Sequence, residues 1–318
     1  MKEKIVVTGG AGFIGSHLAH KLVSLGYHVV IIDNLLRGQY SYIEDLVNNG
    51  EASFILGDIR DYKLMCKTIK DSSNLFHLAA VCINYSLAHP QESLDVNVQG
   101  TFNVLKAAHE AGVDKVIFAS SASVYGNPDY LPMDENHPLN PLTPYCVAKI
   151  ADEYLLQVFA RQGLKYVAFR NFNVYGLRQN TDAFYTSVIS TFIEAVAKRQ
   201  PPIIFGTGSQ SMDFVYVDDV VDANIQALHR DVQNQIFNIG SGTSTSISDL
   251  FNIICELTKF YTHPIYAPQP KVLVTERRAD ITKAKRLLGF NPKTGLEEGL
   301  KRVIAETLPQ GNIQKCRL

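Results

Sequence analysis

The chain has 318 residues, more than one hydrophobic core usually organises, so one large domain or two are expected. Hydrophobic residues make up 46% and charged residues 19%, which excludes a disordered or fibrous chain. Lys and Arg number 30 against 31 Asp and Glu, a net charge of -1 with no basic tract, which argues against nucleic acid or a membrane surface as partner.

The first apolar run, Ile5-Val6-Val7, reads as a strand, and Gly9, Gly10 and Gly12 follow too soon for a signal-peptide core. Gly9, Gly12 and Gly15 lie between that strand and a helical stripe of Ile14, Leu18, Leu22 and Leu25. Glycines at this junction permit a tight turn, close backbone approach to a pyrophosphate and tight helix packing. The helix N-terminus then offers free N–H groups to the phosphates. A second strand, Val29 to Ile32, ends at Asp33, placed to accept from both adenosine ribose hydroxyls and to repel a 2'-phosphate, so NAD is expected rather than NADP.

A third strand, Phe54 to Leu56, leads to Asp58, which reads equally as an adenine contact or as the N-cap of a helix beginning near Asp61. His77 falls inside a fourth strand, Leu75 to Leu78, and reads as a satisfied core imidazole. A helical stripe of Val104, Ala107, Ala108 and Ala111 precedes a fifth strand, Val116 to Ala119. The segment Ser120 to Gly126 leaves the carboxyl end of that strand, where open α/β sheets bind ligands. Thr143 to Lys149 opens a helix with Tyr145 and Lys149 one turn apart on one face, where the ammonium would favour the phenolate. Chance alone yields roughly one such pair in a chain of this composition, so the pair gains its weight from Ser120 to Gly126 beside it.

A sixth strand, Tyr166 to Phe169, completes strand–helix alternation that closes as a doubly wound parallel α/β sheet of Rossmann type. Beyond it the pattern loosens. Pro201-Pro202 and glycine-rich stretches mark a smaller C-terminal α/β lobe for substrate, and the chain from Thr307 is expected to fray. The division expected is 1–172 for the NAD-binding domain, with 213–241 packing back onto it, and 173–212 with 242–318 for the lobe. Cys66, Cys82, Cys146, Cys255 and Cys316 are scattered without CxxC spacing, and no apolar run approaches the roughly 20 residues that cross a bilayer. A reduced, cytoplasmic protein without a metal site is the expectation.

The glycine signature, Asp33, His77-Leu78-Ala79-Ala80, Asn97, Ser120 to Gly126 and Tyr145/Lys149 together resemble the extended short-chain dehydrogenase/reductase family. Within it the chain is similar to sugar-nucleotide epimerases and dehydratases, above all the UDP-glucose 4-epimerase-like branch, from Lys4 to about Val303. The resemblance implies a tightly bound NAD contacted also by Phe13, Ile14, Asn34, Ile59, Leu78, Ala79, Ala80, Asn97, Ser120 and Phe172. It implies that Tyr145, assisted by Ser121, takes the proton of a sugar C4 hydroxyl while hydride passes to NAD and returns on the other face of a 4-keto sugar. Lys149 would hold the nicotinamide ribose. Asn173 and the strand from Ile203 to Phe205 would lie along a nucleoside diphosphate, and a homodimer would form through the helix that carries Tyr145.

Ala122 and Ser123 stand where dehydratases of this family carry the carboxylates that expel water, which favours C4 epimerisation of a UDP-sugar over a lyase reaction. A dehydratase or decarboxylase remains the alternative, and an NAD-binding protein without chemistry a third reading. Met212 stands where relatives place a diphosphate arginine, and a second such arginine near Pro270 is absent. Arg277 or Arg278 would take over the diphosphate, meet a substrate carboxylate, or be surface charge. Asn171 replaces a tyrosine common before Phe-Asn in relatives, which alters the nicotinamide pocket.

Overall fold

Six short β-branched and aromatic runs form strands in the computed structural model, which describes residues 2–179, 188–268 and 274–308. They are β1 (Lys4–Thr8), β2 (His28–Asp33), β3 (Ala52–Leu56), β4 (Asn74–His77), β5 (Lys115–Ser121) and β6 (Tyr166–Asn171). Among them stand α1 (Phe13–Ser24), α2 (Glu44–Asn48), α3 (Tyr62–Ile69), α4 (Ile83–Ala88), α5 (Pro90–Leu94), α6 (Thr101–Glu110) and α7 (Pro144–Ala160). After β6 come β7 (Asn173–Tyr175), α8 (Val188–Ala197), β8 (Ile203–Phe205), β9 (Ser211–Met212), β10 (Phe214–Tyr216) and α9 (Val217–His229). The described chain closes with β11 (Gln235–Ile239), β12 (Thr245–Ser246), α10 (Ile247–Thr258), β13 (Ile265–Ala267), α11 (Thr282–Leu288) and α12 (Leu296–Thr307).

The main sheet has seven strands in the order β11-β6-β5-β4-β1-β2-β3, every neighbouring pair parallel. This is the doubly wound fold that the alternating pattern predicts. From β1 the chain builds outward through β2 and β3, then returns to β4 and builds the other way. The carboxyl ends of β1 and β4 therefore part and leave a crevice for a ligand.

The two-residue period of a strand sends neighbouring side chains to opposite faces. Ile5 and Val7 pack with Leu18 and Leu22 of α1 and Val220 of α9, while Val6 packs with Met65 of α3 and Val104 of α6. A third core, with Phe192 of α8, Tyr216, Ile254 of α10 and Leu300 of α12, builds the lobe beside the crevice. Leu25 departs from the expected stripe: α1 ends one residue earlier, and Leu25 is exposed. Of the expected frayed tail, 309–318 lies outside the described residues. Among the described residues no helix is long and apolar enough to cross a membrane.

Candidate functional site

A cleft of about 1240 Å³ opens over the carboxyl ends of the sheet. The turn after β1 supplies its floor. Gly9 has φ +70, and a Cβ there would sit 2.7 Å from the Ala79 backbone nitrogen, so only glycine lets the ends of β1 and β4 approach. A Cβ on Gly15 would overlap the Gly9 carbonyl, so the third glycine lets α1 seat on the turn. Gly12 stands at the N-cap of α1 with no side-chain cap. The first-turn amides of Phe13, Ile14 and Gly15, all on the cleft wall, remain available to an anion.

Asp33 ends β2 on this wall, 8% exposed. Its carboxylate accepts from Ala11 N at 3.1 Å and Leu35 N at 2.8 Å, which fixes its orientation toward the cleft. Burial raises its pKa, and those two backbone donors pull it back. Asn34, Asp58 and Ile59 continue the wall. The helix cap after β3 is Asp61, which accepts from Leu64 N at 3.0 Å, so Asp58 does not have the N-cap role. Asp58 instead accepts from Arg60 Nη2 at 2.8 Å and Asn34 Nδ2 at 3.1 Å, and the Arg60 hydrogen bond lowers its pKa most.

At the other end stand Ser121, Ser123, Tyr145 and Lys149. Thr143 caps α7 by accepting from Cys146 N at 3.3 Å, and Pro144 occupies its first turn, so Tyr145 and Lys149 enter the cleft from a fixed helix start. The Lys149 Nζ lies 5.8 Å from the centre of the Tyr145 ring. Ser123 Oγ donates to Ser121 Oγ at 2.9 Å. Burial is the largest influence on Tyr145 and pushes its phenol above the ordinary range, with the Ser121 hydrogen bond opposing it. This reverses the expectation that Lys149 would draw the phenol down. Lys149 is itself lowered by burial and faces a buried carboxylate, Asp152, at 3.9 Å.

Of the other expected cofactor residues, Leu78, Ala79, Ala80, Ser120 and Phe172 reach the wall. The Ser120 hydroxyl, however, donates to Glu153 Oε1 at 2.6 Å. Asn97 does not reach the wall. It is fully buried behind it, pairing with both the N–H and the carbonyl of Val81 and so holding the loop after β4. His77 bridges Thr8 Oγ1 at 2.6 Å and Thr101 Oγ1 at 3.0 Å, the satisfied core imidazole expected.

On the substrate side, Asn173, Ile203, Phe205, Met212 and Arg277 line the cleft. Asn173 Nδ2 donates to the Asp213 carbonyl at 2.9 Å, and β8 pairs with β13 so that Ile203 and Phe205 face the same way. Arg278 does not line it; its carbonyl accepts from Met133 N at 2.8 Å. The position near Pro270 lies outside the described residues. Arg37, Cys82 and Asn84 also line the cleft and were not singled out from sequence. Cys82 and Asn84 follow β4 at the switch point, so the carboxyl-end rule was the signal available for them.

Comparison with known proteins agrees with this geometry. A family model described as the NAD dependent epimerase/dehydratase family matches residues 5–240. A putative UDP-glucose 4-epimerase of Methanocaldococcus jannaschii is 44% identical, covering 94% of this chain and 97% of its own. A UDP-N-acetyl-alpha-D-glucosaminuronate decarboxylase of Bacillus cytotoxicus is 36% identical, with coverage of 96% and 97%. The crystal structure of UDP-glucose 4-epimerase from Thermotoga maritima with UDP-glucose superposes with a TM-score of 0.90 at 38% identity, covering 95% and 97%.

Proposed function

The chain belongs to the NAD dependent epimerase/dehydratase family and uses NAD, and from that premise we propose that it inverts C4 of a UDP-sugar. One observation carries the choice of reaction. Among the described residues on the cleft wall the carboxylates are Asp33 and Asp58, both at the turn and β2–β3 end. Beside Tyr145 stands Ser123, and Ala122 is buried in the core. An elimination needs an acid and a base near C5 and C6 of the sugar; inversion at C4 needs only a reversible proton and hydride exchange.

NAD supplies a hydride acceptor that later returns the same hydride. Tyr145 takes the proton from the C4 hydroxyl oxygen as the C–H bond yields its hydride, and gives a proton back to that oxygen when the hydride returns to the opposite face. Ser121, which hydrogen-bonds Tyr145, steadies the phenolate oxygen and the sugar oxygen between them. Lys149 stabilises the phenolate that burial otherwise disfavours. Asn173, Phe205 and Arg277 are proposed to hold the nucleoside diphosphate. Phe102 of α6 and Val147, Tyr154 and Val158 of α7 are exposed, and we assign them to a homodimer interface.

Similarity to the decarboxylase favours a second reading, with Arg277 on a substrate carboxylate. Incubating the purified protein with UDP-glucose, UDP-N-acetylglucosamine and UDP-glucuronic acid, without added NAD, and following proton NMR separates the two. A C4 epimer is expected. Released carbon dioxide or an accumulating keto sugar would overturn the epimerase reading.

A further inference from the structure

One acid of α7 has no part in the chemistry so far. Asp152 is 0% exposed, and neither of its carboxylate oxygens has a hydrogen-bond partner. A buried carboxylate left in this state costs stability unless a charge compensates it. The group that faces it is Lys149, whose Nζ stands 3.9 Å from Asp152 Oδ2 in the same dry region.

We propose that Asp152 is a positioning residue that acts on the reaction through Lys149, holding the ammonium charged and aimed between the helix and the catalytic tyrosine. The inference rests on the roles assigned above to Tyr145 and Lys149. Without a carboxylate at this distance a lysine this deeply buried would tend to lose its proton, and an uncharged amine cannot stabilise a phenolate. The Lys149 ammonium also lies 4.5 Å over the Phe118 ring, which supports a cation without neutralising it.

The surroundings leave Asp152 to this pairing. On α7, Glu153 is engaged with the Arg170 guanidinium at 2.7 Å and with Ser120, so its charge is already met. On α6, the Thr101 hydroxyl favours the Asp152 anion but is shared with His77 Nε2. His77 on β4 stays neutral, burial pushing it down to about 3. Farther along α6, Lys106 pairs with Glu110 at the surface, and His109 packs on Phe159. Glu92 of α5 turns to Tyr85 and Arg60, and Asp95 is exposed. Tyr145 and the thiols of Cys82 and Cys146 lie on the cleft side. Burial lifts the Asp152 carboxyl to about 7, with Lys149 opposing, so the anion forms in the upper half of the working range.

Removing that anion therefore matters only where it exists. In NAD-loaded Asp152→Asn, kcat at pH 9 falls roughly tenfold while kcat at pH 6 stays within about twofold of wild type, because the basic limb moves to lower pH. An equal loss at every pH marks a merely structural role and overturns the proposal, as does an unchanged profile. Asp152→Ser serves if the asparagine variant does not fold. A measurement independent of substrate uses wild-type protein labelled at lysine 13Cε and aspartate 13Cγ, with Lys149 and Asp152 assigned from Lys149→Met and Asp152→Asn. The two signals must share a titration step; separate titrations overturn the pair. A shared step in a protein that turns over no sugar nucleotide supports the pair while overturning the epimerase reading alone.

Discussion

Tyr145 holds its proton more tightly in the folded chain than in water, because a phenolate loses hydration on the cleft wall and only Ser121 compensates directly. A base that must be charged in a dry place depends on a few neighbours. Tyr145→Phe keeps the ring and removes the proton acceptor, so kcat should fall by roughly 10²- to 10⁴-fold with NAD still bound, read by NMR turnover and by cofactor released on denaturation. Arg277→Ala should raise KM for the sugar nucleotide roughly tenfold or more with kcat little changed, since it removes a charge-assisted contact to the part that does not react. His77 makes the converse case. Its folded pKa of about 3 lies below the ordinary 6.5, so neutral His77 stabilises the fold fully above pH 6.5, and this is lost as pH falls toward 3. Wild type should lose more Tm between pH 7 and pH 5 than His77→Asn, and equal losses would refute the assignment.

At the scale of elements, the start of α7 and the turn after β1 decide where chemistry can occur. The Thr143 hydroxyl and Pro144 set the helix origin, and a fixed origin fixes the rotation at which Tyr145 and Lys149 meet the cleft. Thr143→Ala should cost about 1 kcal/mol in urea unfolding and lower kcat, since the cap holds the turn that carries the tyrosine. These elements were legible because their signals are local: a glycine triplet, a Thr-Pro helix start, β-branched runs. Asn97 was less legible. Its residue type suits a ligand contact, yet it spends its amide on the Val81 backbone, a partner 16 residues away. Asp58 was ambiguous for the same reason, until the cap appeared on Asp61.

For the whole molecule, reversal of the chain between β3 and β4 creates the cleft, and the third core closes it from the lobe. The surface outside the cleft carries a further consequence. Val147, Tyr154 and Val158 recur at helical spacing along the exposed side of α7, next to Phe102 on α6. A Tyr154→Glu, Val158→Glu double substitution should convert the proposed dimer to monomer in sedimentation, with NAD still bound; a wild type that sediments as a monomer would refute the interface. By itself the sequence determined the parallel α/β fold, the phosphate turn with Asp33 after it, and the tyrosine–lysine pair beside a serine segment, since each follows from periodicity or from residues close in the chain. Only the tertiary structure decided that Arg277 and not Arg278 reaches the cleft, that Asn97 stays behind its wall, and that Asp152 confronts Lys149 rather than Tyr145 receiving the full benefit of the ammonium. Burial and charge pairing depend on what other elements bring alongside, and a linear pattern carries no record of how much water a side chain has lost.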